Sequence, residues 1–442
     1  MARSIGIAVG PGSDVLYLGM DFGTSGARAM VINEQQELVA DARQVYGAEA
    51  SSGWTGAWER SLGELLGKLP PKVRQAIASI AIDGTSATSL LLDRQTGQVL
   101  APAKLYNESQ GGAIVKLAQA IAPASHTATA STSTFCKLLT WHDQGIWQEA
   151  QQQGHQPVLQ HQADWLASLL HGRRTTTDYN NALKLGYNPG ADCYPGWLSS
   201  QPFAGLLPAE VFAPGDPVAP VTPEAAERLG LPPHCLVCAG TTDSIAAFLA
   251  AGATEIGEAV SSLGSTLAIK LLSESRVDDA KYGVYSHRLG HTWLVGGASN
   301  TGGAVLRQHF SDAQLLELTP HIDPSQPSGL DYYPLTAKGE RFPINDPDLP
   351  PCLEPRPEDD ARFLHGILEG IAHVEAQAYR LLLEMGASPL TKVYTAGGGA
   401  KNPVWTAIRA RQLGVPVVPS PQAEAAFGSA LLARQGYHKS LR

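Results

Sequence analysis

The chain has 442 residues, which at ~100–200 residues per domain predicts two domains. Its 41 acidic and 32 basic residues give a formal net charge of −9. No basic block exists to neutralise phosphates, so a general nucleic-acid binder and a polybasic membrane anchor are both excluded. Hydrophobic residues are 43 % of the chain, enough for two buried cores, and no apolar run reaches the ~18 residues of a membrane span. Five scattered cysteines suit a reducing, cytoplasmic setting. The CxxC spacing of Cys235 and Cys238 reads as part of a buried strand. Residues 1–14 carry too little charge and apolar length for a signal peptide and read as a short extension outside the fold.

Residues 15–20 form an apolar strand ending in Asp21. Gly23-Thr24-Ser25-Gly26 is a turn signal, and strands at 27–32 and 37–41 complete an antiparallel meander. A helix at 58–69 stops at Pro70-Pro71. An apolar strand at 80–82 runs into Asp83-Gly84, and shorter strands follow at 90–92 and 99–100. This alternation predicts an α/β core. The region of about 110–220 has helical pieces at 138–152 and 164–170 and reads as an elaboration of the first domain. A buried strand at 236–239, the turn Gly240-Thr241-Thr242-Asp243 and a small-residue helix at 244–251 close the first half.

The opening pattern then returns. A strand at 258–262, the turn Gly264-Ser265-Thr266 and a strand at 267–272 match the first hairpin, with Phe22-Gly23-Thr24-Ser25 aligned on Leu263-Gly264-Ser265-Thr266. The expectation is a duplicated α/β architecture with domains at 15–251 and 252–442 and a ligand cleft between them. The second half continues with a strand at 293–297, Asn300-Thr301-Gly302-Gly303 opening a helix, and a long helix over 361–385. That helix has one apolar face through Leu364, Ile367, Leu368, Ile371 and Val374. A strand at 393–395, Gly397-Gly398-Gly399, a helix at 403–413, a strand at 415–418 and an Ala- and Gly-rich helix at 423–434 complete the chain.

Four motifs carry possible chemistry. In the first hairpin, glycines let backbone N–H groups approach an anion, and Thr24 and Ser25 add hydroxyls. Asp21 at the strand end reads either as a turn cap or as a ligand for Mg²⁺ shared with phosphate oxygens. Gly264-Ser265-Thr266 is its partner hairpin. Gly397-Gly398-Gly399-Ala400-Lys401-Asn402, between a strand and a helix, reads either as a helix start or as a bare backbone surface for a flat ring such as adenine. Asp243 reads either as a helix cap or as a general base for a sugar hydroxyl. Trp54 and Trp58 read as core residues or as a sugar contact. The scattered histidines show no metal-ligand spacing.

Together, in this order, the motifs resemble the FGGY carbohydrate kinases over nearly the whole chain. Asp83-Gly84-Thr85, Asp164-Trp-Leu-Ala, Thr177-Asp178-Tyr-Asn180-Asn181-Ala182, Gly339-Glu340-Arg341-Phe-Pro343 and Glu424-Ala-Ala-Phe-Gly428-Ser429-Ala430 extend the resemblance. It implies two duplicated actin-like/hexokinase-like (ribonuclease H-like) ATPase domains, with ATP and Mg²⁺ as cofactors. The catalytic residues it implies are Asp243, Asp21 and Thr24, with Asp21 on the metal. Nucleotide contacts fall on Gly23, Ser25, Arg28, Gly264, Ser265, Thr266, Gly302, Gly303, Gly398, Gly399 and Asn402. Sugar contacts fall on Asp83, Thr85, Asn107, Glu108 and Asp243.

Two departures bear on specificity. A loop that often reads Trp-x-Asp-x-Arg is Tyr106-Asn107-Glu108-Ser109-Gln110 here, without the Arg. The Lys-x-x-Trp signature appears as Lys137-Leu-Leu-Thr-Trp141. The compact form most resembles the cyanobacterial and plant sugar kinases associated with D-ribulose. The expectation is a cytoplasmic, monomeric or dimeric ATP-dependent D-ribulose kinase, without nucleic-acid or membrane partners. The alternatives are a D-xylulose or other polyol or ketose kinase, and an ATP-binding sugar sensor with weak kinase activity.

Overall fold

The computed structural model describes residues 15–47, 53–124 and 126–442, and the extension expected at 1–14 lies outside them. The chain divides into two compact units. The first runs through Ala250 and takes back Glu424–Arg442; the second is Ala251–Ala423.

The first unit is built on a mixed seven-stranded sheet. Leu16–Phe22, Gly26–Ile32 and Leu38–Val45 form the expected meander, and Leu16–Phe22 pairs in parallel with Ile77–Gly84 on its other side. Leu236–Cys238 continues the sheet in parallel, Pro217–Pro220 closes the edge, and Thr241–Thr242 pairs in parallel with the end of Ile77–Gly84. Alternate side chains of the first strand supply opposite faces. Leu18, Met20 and Phe22 pack with Trp58, Leu62, Leu65 and Leu66 of the helix Trp54–Lys68 and with Leu166 and Leu170 of the helix Gln162–His171. Tyr17 and Ala81 face Ala430 and Ala433 of the last helix, Ala425–Ser440.

That last helix, expected within the 252–442 domain, is grouped by its contacts with the first compact unit. Its close approach has a steric basis. A Cβ at Gly19 would lie 1.9 Å from Ala426 O, and one at Gly428 would lie 1.8 Å from Ala246 O. Only glycine lets this helix lie on the sheet and against the helix Asp243–Ala250.

The elaboration within the first unit has its own core. Leu91, Phe135, Leu138, Leu139, Trp141, Leu159 and Phe203 cluster there, around a small sheet of Val99–Lys104, Ser89–Asp93 and Pro157–His161. Trp58 is core, and the Trp54 ring lies tilted against it with centroids 5.8 Å apart, which favours the packing reading of this pair.

The second unit repeats the topology. Glu258–Leu263, Leu267–Ser273 and Thr292–Ser299 form an antiparallel meander, and Glu258–Leu263 pairs in parallel with Lys392–Ala396, which pairs in parallel with Val417–Pro419. The edge strand Tyr285–Leu289 is an addition. The helix Asp360–Glu384 buries the predicted apolar stripe. Its Glu375 holds Arg409 of the helix Pro403–Leu413 through two 2.6 Å bonds, both residues fully buried. Arg409 also donates to Thr395 Oγ1 at 2.6 Å, and Ser261 donates to Glu375. One ion pair thus ties two helices to two strands.

Candidate active site

In the first unit, three carboxylates gather where strands end. Asp21 and Asp83 are register partners on adjacent parallel strands, and Thr241 is the partner of Asp83 on the other side. The chain then passes through Thr242 to Asp243, the first residue of the helix Asp243–Ala250. Parallel pairing thus sets Asp21 and Asp83 about one strand spacing apart, ~4.8 Å.

Asp83 is fully buried, and its Oδ2 accepts a 2.6 Å hydrogen bond from Ser429 of the last helix. Burial, then the charge of Asp21, pushes its carboxyl well above the usual range. Burial raises Asp21 to about 6; Asp83 and Arg28 oppose the rise and Asp243 adds to it. Asp21 Oδ1 and Asp83 Oδ1 are both buried without a hydrogen-bond partner. Such oxygens fit a hard divalent cation that keeps phosphate or water as its remaining ligands. Among the described residues no group of three or more His, Cys, Asp or Glu side chains could hold a metal unaided.

Asp243 is half-buried, and its Oδ1 accepts from Ser244 N at 2.6 Å. Its charge reaches both other carboxylates. Thr24 and Ser25 stand exposed in the hairpin turn, closed by a 3.0 Å bond from Gly23 N to Gly26 O. Arg28, the register partner of Asp21, forms an ion pair with Glu424.

The expected sugar residues have varied surroundings. Thr85 is buried, and both its N–H and its hydroxyl donate to Gln162 Oε1, at 3.0 and 2.9 Å. Glu108 closes its own loop: its carboxylate accepts from Lys104 Nζ at 3.0 Å and from Leu105 N at 3.3 Å. Gln110, at the place of the missing Arg, is buried, accepts from Thr140 Oγ1 at 2.8 Å and donates to Glu108 O at 3.0 Å. Asn107 is exposed.

Sequence reasoning missed several groups here. Tyr46 OH and Thr242 Oγ1 are buried without a hydrogen-bond partner. Burial and the charge of Asp21 raise the Tyr46 phenol. Asn180 donates to Thr241 Oγ1 at 3.2 Å and leaves its Oδ1 buried and unpartnered. Asn180 and Thr242 stood inside quoted motifs, but no spacing rule marks Asn180 as a partner of Thr241 or either residue as carrying a buried, unpartnered oxygen.

In the second unit, Gly264, Ser265 and Thr266 are exposed at the repeated turn. Gly303 N donates to Gly264 O at 2.9 Å and Ala304 N to Ser265 O at 3.1 Å. The backbone donors of Gly303 and Ala304 therefore brace the hairpin. Gly302 has φ 148°, and a Cβ there would strike the Thr266 backbone at 2.7 Å. Arg307, overlooked in the sequence, donates to Ser265 Oγ at 2.9 Å and brings a cation to the turn. Glu340 is buried, accepts from Ser299 Oγ at 2.5 Å and Asn300 N at 2.8 Å, and so holds the segment leading to Gly302.

Asn402 caps the helix Pro403–Leu413 by accepting from Trp405 N at 3.0 Å. A Cβ on Gly399 would strike Leu263 and Trp405, while the space above Gly398 is open. Of the three glycines, Gly398 alone leaves its backbone face open.

Each half of the chain matches one family domain, the second match taking in part of the last helix. Residues 16–188 match the N-terminal domain and residues 259–435 the C-terminal domain of the FGGY family of carbohydrate kinases. The chain belongs to that family.

The L-fuculokinase of Salmonella typhi is 25 % identical over 95 % of this chain and 91 % of its own length. The xylulose kinase of Escherichia coli is 24 % identical over 88 % and 83 %. The gluconokinase of Bacillus licheniformis is 25 % identical, but the match spans 41 % of this chain and only 39 % of that protein. In fold, the chain is similar to a xylulose kinase from Rhodospirillum rubrum, with TM-score 0.78, 22 % identity, and 95 % and 90 % of the two chains covered. It is also similar to the glycerol kinase of Plasmodium falciparum, with TM-score 0.79, 16 % identity and coverage of 95 % and 88 %. The actin-like ATPase architecture expected from the sequence is the fold of this chain.

Proposed function

We propose that this chain is an ATP-dependent sugar kinase that phosphorylates the terminal hydroxyl of a ketopentose, D-ribulose first among the candidates. The observation that supports this most is the meeting of Asp21, Asp83 and Asp243 at the strand ends of the first unit. Asp243 accepts the hydroxyl proton as the sugar oxygen forms its bond to the γ-phosphorus, and the bond from phosphorus to the ADP oxygen breaks. Asp21 and Asp83, through their unpartnered Oδ1 atoms, would hold the Mg²⁺ that neutralises phosphate charge when bound. Thr24, Ser25 and the Gly264-Ser265-Thr266 turn offer hydroxyl and backbone donors to phosphate oxygens, and the open face of Gly398 takes the adenine.

For the sugar, Asn107 is the hydroxyl reader, because its side chain is exposed while Asp83, Thr85 and Glu108 are held by protein partners. Gln110 supplies no cation, which disfavours acidic sugars and leaves the small neutral ketoses. The five cysteines are free thiols, which supports a cytoplasmic setting where ATP is available; we take the enzyme to act as a monomer or dimer. Another ketose is the second reading, supported by the xylulose kinase and L-fuculokinase relatives. A weakly active sugar sensor draws only on the missing Arg. The test is ADP release from ATP and Mg²⁺ with D-ribulose, D-xylulose, L-fuculose, gluconate and glycerol in parallel. D-Ribulose is expected to give the highest kcat/KM. A higher value for another sugar moves the assignment to that sugar, and sugar-independent ATP hydrolysis favours the sensor.

A further inference from the structure

Lys137 is fully buried on the helix Thr134–Asp143. Its Nζ donates to two backbone carbonyls from separate segments, Ala87 O at 2.7 Å and Leu105 O at 2.6 Å. Ala87 lies between Thr85 and Thr88 in the segment that follows the Asp83 strand. Its φ is 68°, a left-handed value that a non-glycine residue keeps only when its surroundings impose it. Leu105 opens the turn that carries Asn107. Thr140, three residues further along the same helix, donates to Gln110 at the end of that turn. From another direction Gln162 accepts two bonds from Thr85, and its N–H donates to Thr88 O at 3.0 Å.

We propose that Lys137 is a positioning residue for sugar recognition: by bridging Ala87 O and Leu105 O it fixes the separation of the segments 85–88 and 105–108, and with it the fit of a short ketose. The inference rests on the kinase reading above. Burial is the main force on Lys137 and pulls its ammonium down to about 7, and a neutral amine still carries two N–H groups, one for each carbonyl. Each carbonyl also has a second donor, Ser89 Oγ at 3.0 Å on Ala87 and Glu108 N at 3.1 Å on Leu105. Removing the amine therefore orphans neither carbonyl; it removes the link between the segments.

The test uses the full-length Lys137→Met protein with ATP and the sugar that the wild type turns over best. The sugar KM is expected to rise roughly tenfold or more, the scale of a lost recognition contact, while the ATP KM stays within about twofold. Amide exchange should quicken in 84–89 and 104–110 together. A folded variant with an unchanged sugar KM, or with equal losses for sugar and ATP, overturns the proposal. A merely structural lysine would lower thermal stability and active fraction without this split. Should the Met variant not fold, Lys137→Gln, too short to bridge both carbonyls, is read in the same way. In the wild type itself the two segments should exchange as one unit, and independent exchange overturns the proposal whatever the variants do. If the wild type releases no ADP with any sugar, the kinase reading fails, and the exchange result alone decides on the bridge.

Discussion

Burial works against the charged form of Asp21. In the folded chain it titrates near 6, against an ordinary 3.8. Between those values the folded chain binds more protons than the unfolded one, so this group's contribution to stability falls as the pH rises from about 4 to about 6. Asp21→Asn removes the penalty. It should raise stability at pH 7 by about 1–3 kcal/mol, flatten the pH slope of the melting temperature, and abolish turnover. Melting curves from pH 4 to 8 check this, and a variant less stable than wild type at pH 7 would contradict it. Asn107→Ala should raise the sugar KM and leave the ATP KM unchanged in steady-state assays, because a site built to bond hydroxyls loses most when one partner goes. Asp21 and Asp243 were legible in the sequence, since each sits beside a Gly- or Thr-rich turn at the end of an apolar run. Lys137 and Ser429 stood in quoted motifs, but their pairings, like those of Gln162, were not legible. Their partners lie 32 to 346 residues away along the chain, and no local pattern encodes such pairings.

At the level of elements, the two hairpins, the long helix and the Gly-rich turn follow from apolar periodicity and turn chemistry, and all stand within a few residues of expectation. The last helix shows where that reasoning stops. Its Ala- and Gly-rich surface announced close packing, but not against which sheet. Gly428→Val would drive a side chain into Ala246 O and tilt the helix that begins with Asp243. Overpacking of this kind costs about 1–3 kcal/mol, so both the urea midpoint and kcat should fall; an unchanged midpoint would show that the contact is slack. The Arg409–Glu375 pair makes a second element-scale prediction. Arg409→Met leaves a buried carboxylate without its partner and should destabilise the protein by about 3–5 kcal/mol, read as a lower denaturation midpoint. The loop at 106–110 holds a contact that the sequence reading did not include. Glu108, expected to touch sugar, also pairs with Lys104 four residues earlier, and a local ion pair of this kind is easily overlooked beside a family pattern.

For the whole molecule, duplication was visible in one short match between Phe22–Ser25 and Leu263–Thr266, and it extends to the order and direction of five strands in each unit. The sequence placed the split between the halves near 252, but not the return of residues 424–442 to the first unit, because a boundary crossed twice leaves no mark in composition. The kinase reading rests on the base and the metal ligands that the first unit brings together. The most direct test compares wild type and Asp243→Asn for ADP release with and without D-ribulose, alongside ATP affinity. The wild type should release ADP in a sugar-dependent manner, and the variant should lose ~10²–10⁴-fold in kcat, the range for a general base, with ATP binding retained. Wild-type turnover by Asp243→Asn, or ADP release indifferent to every sugar, would contradict the account.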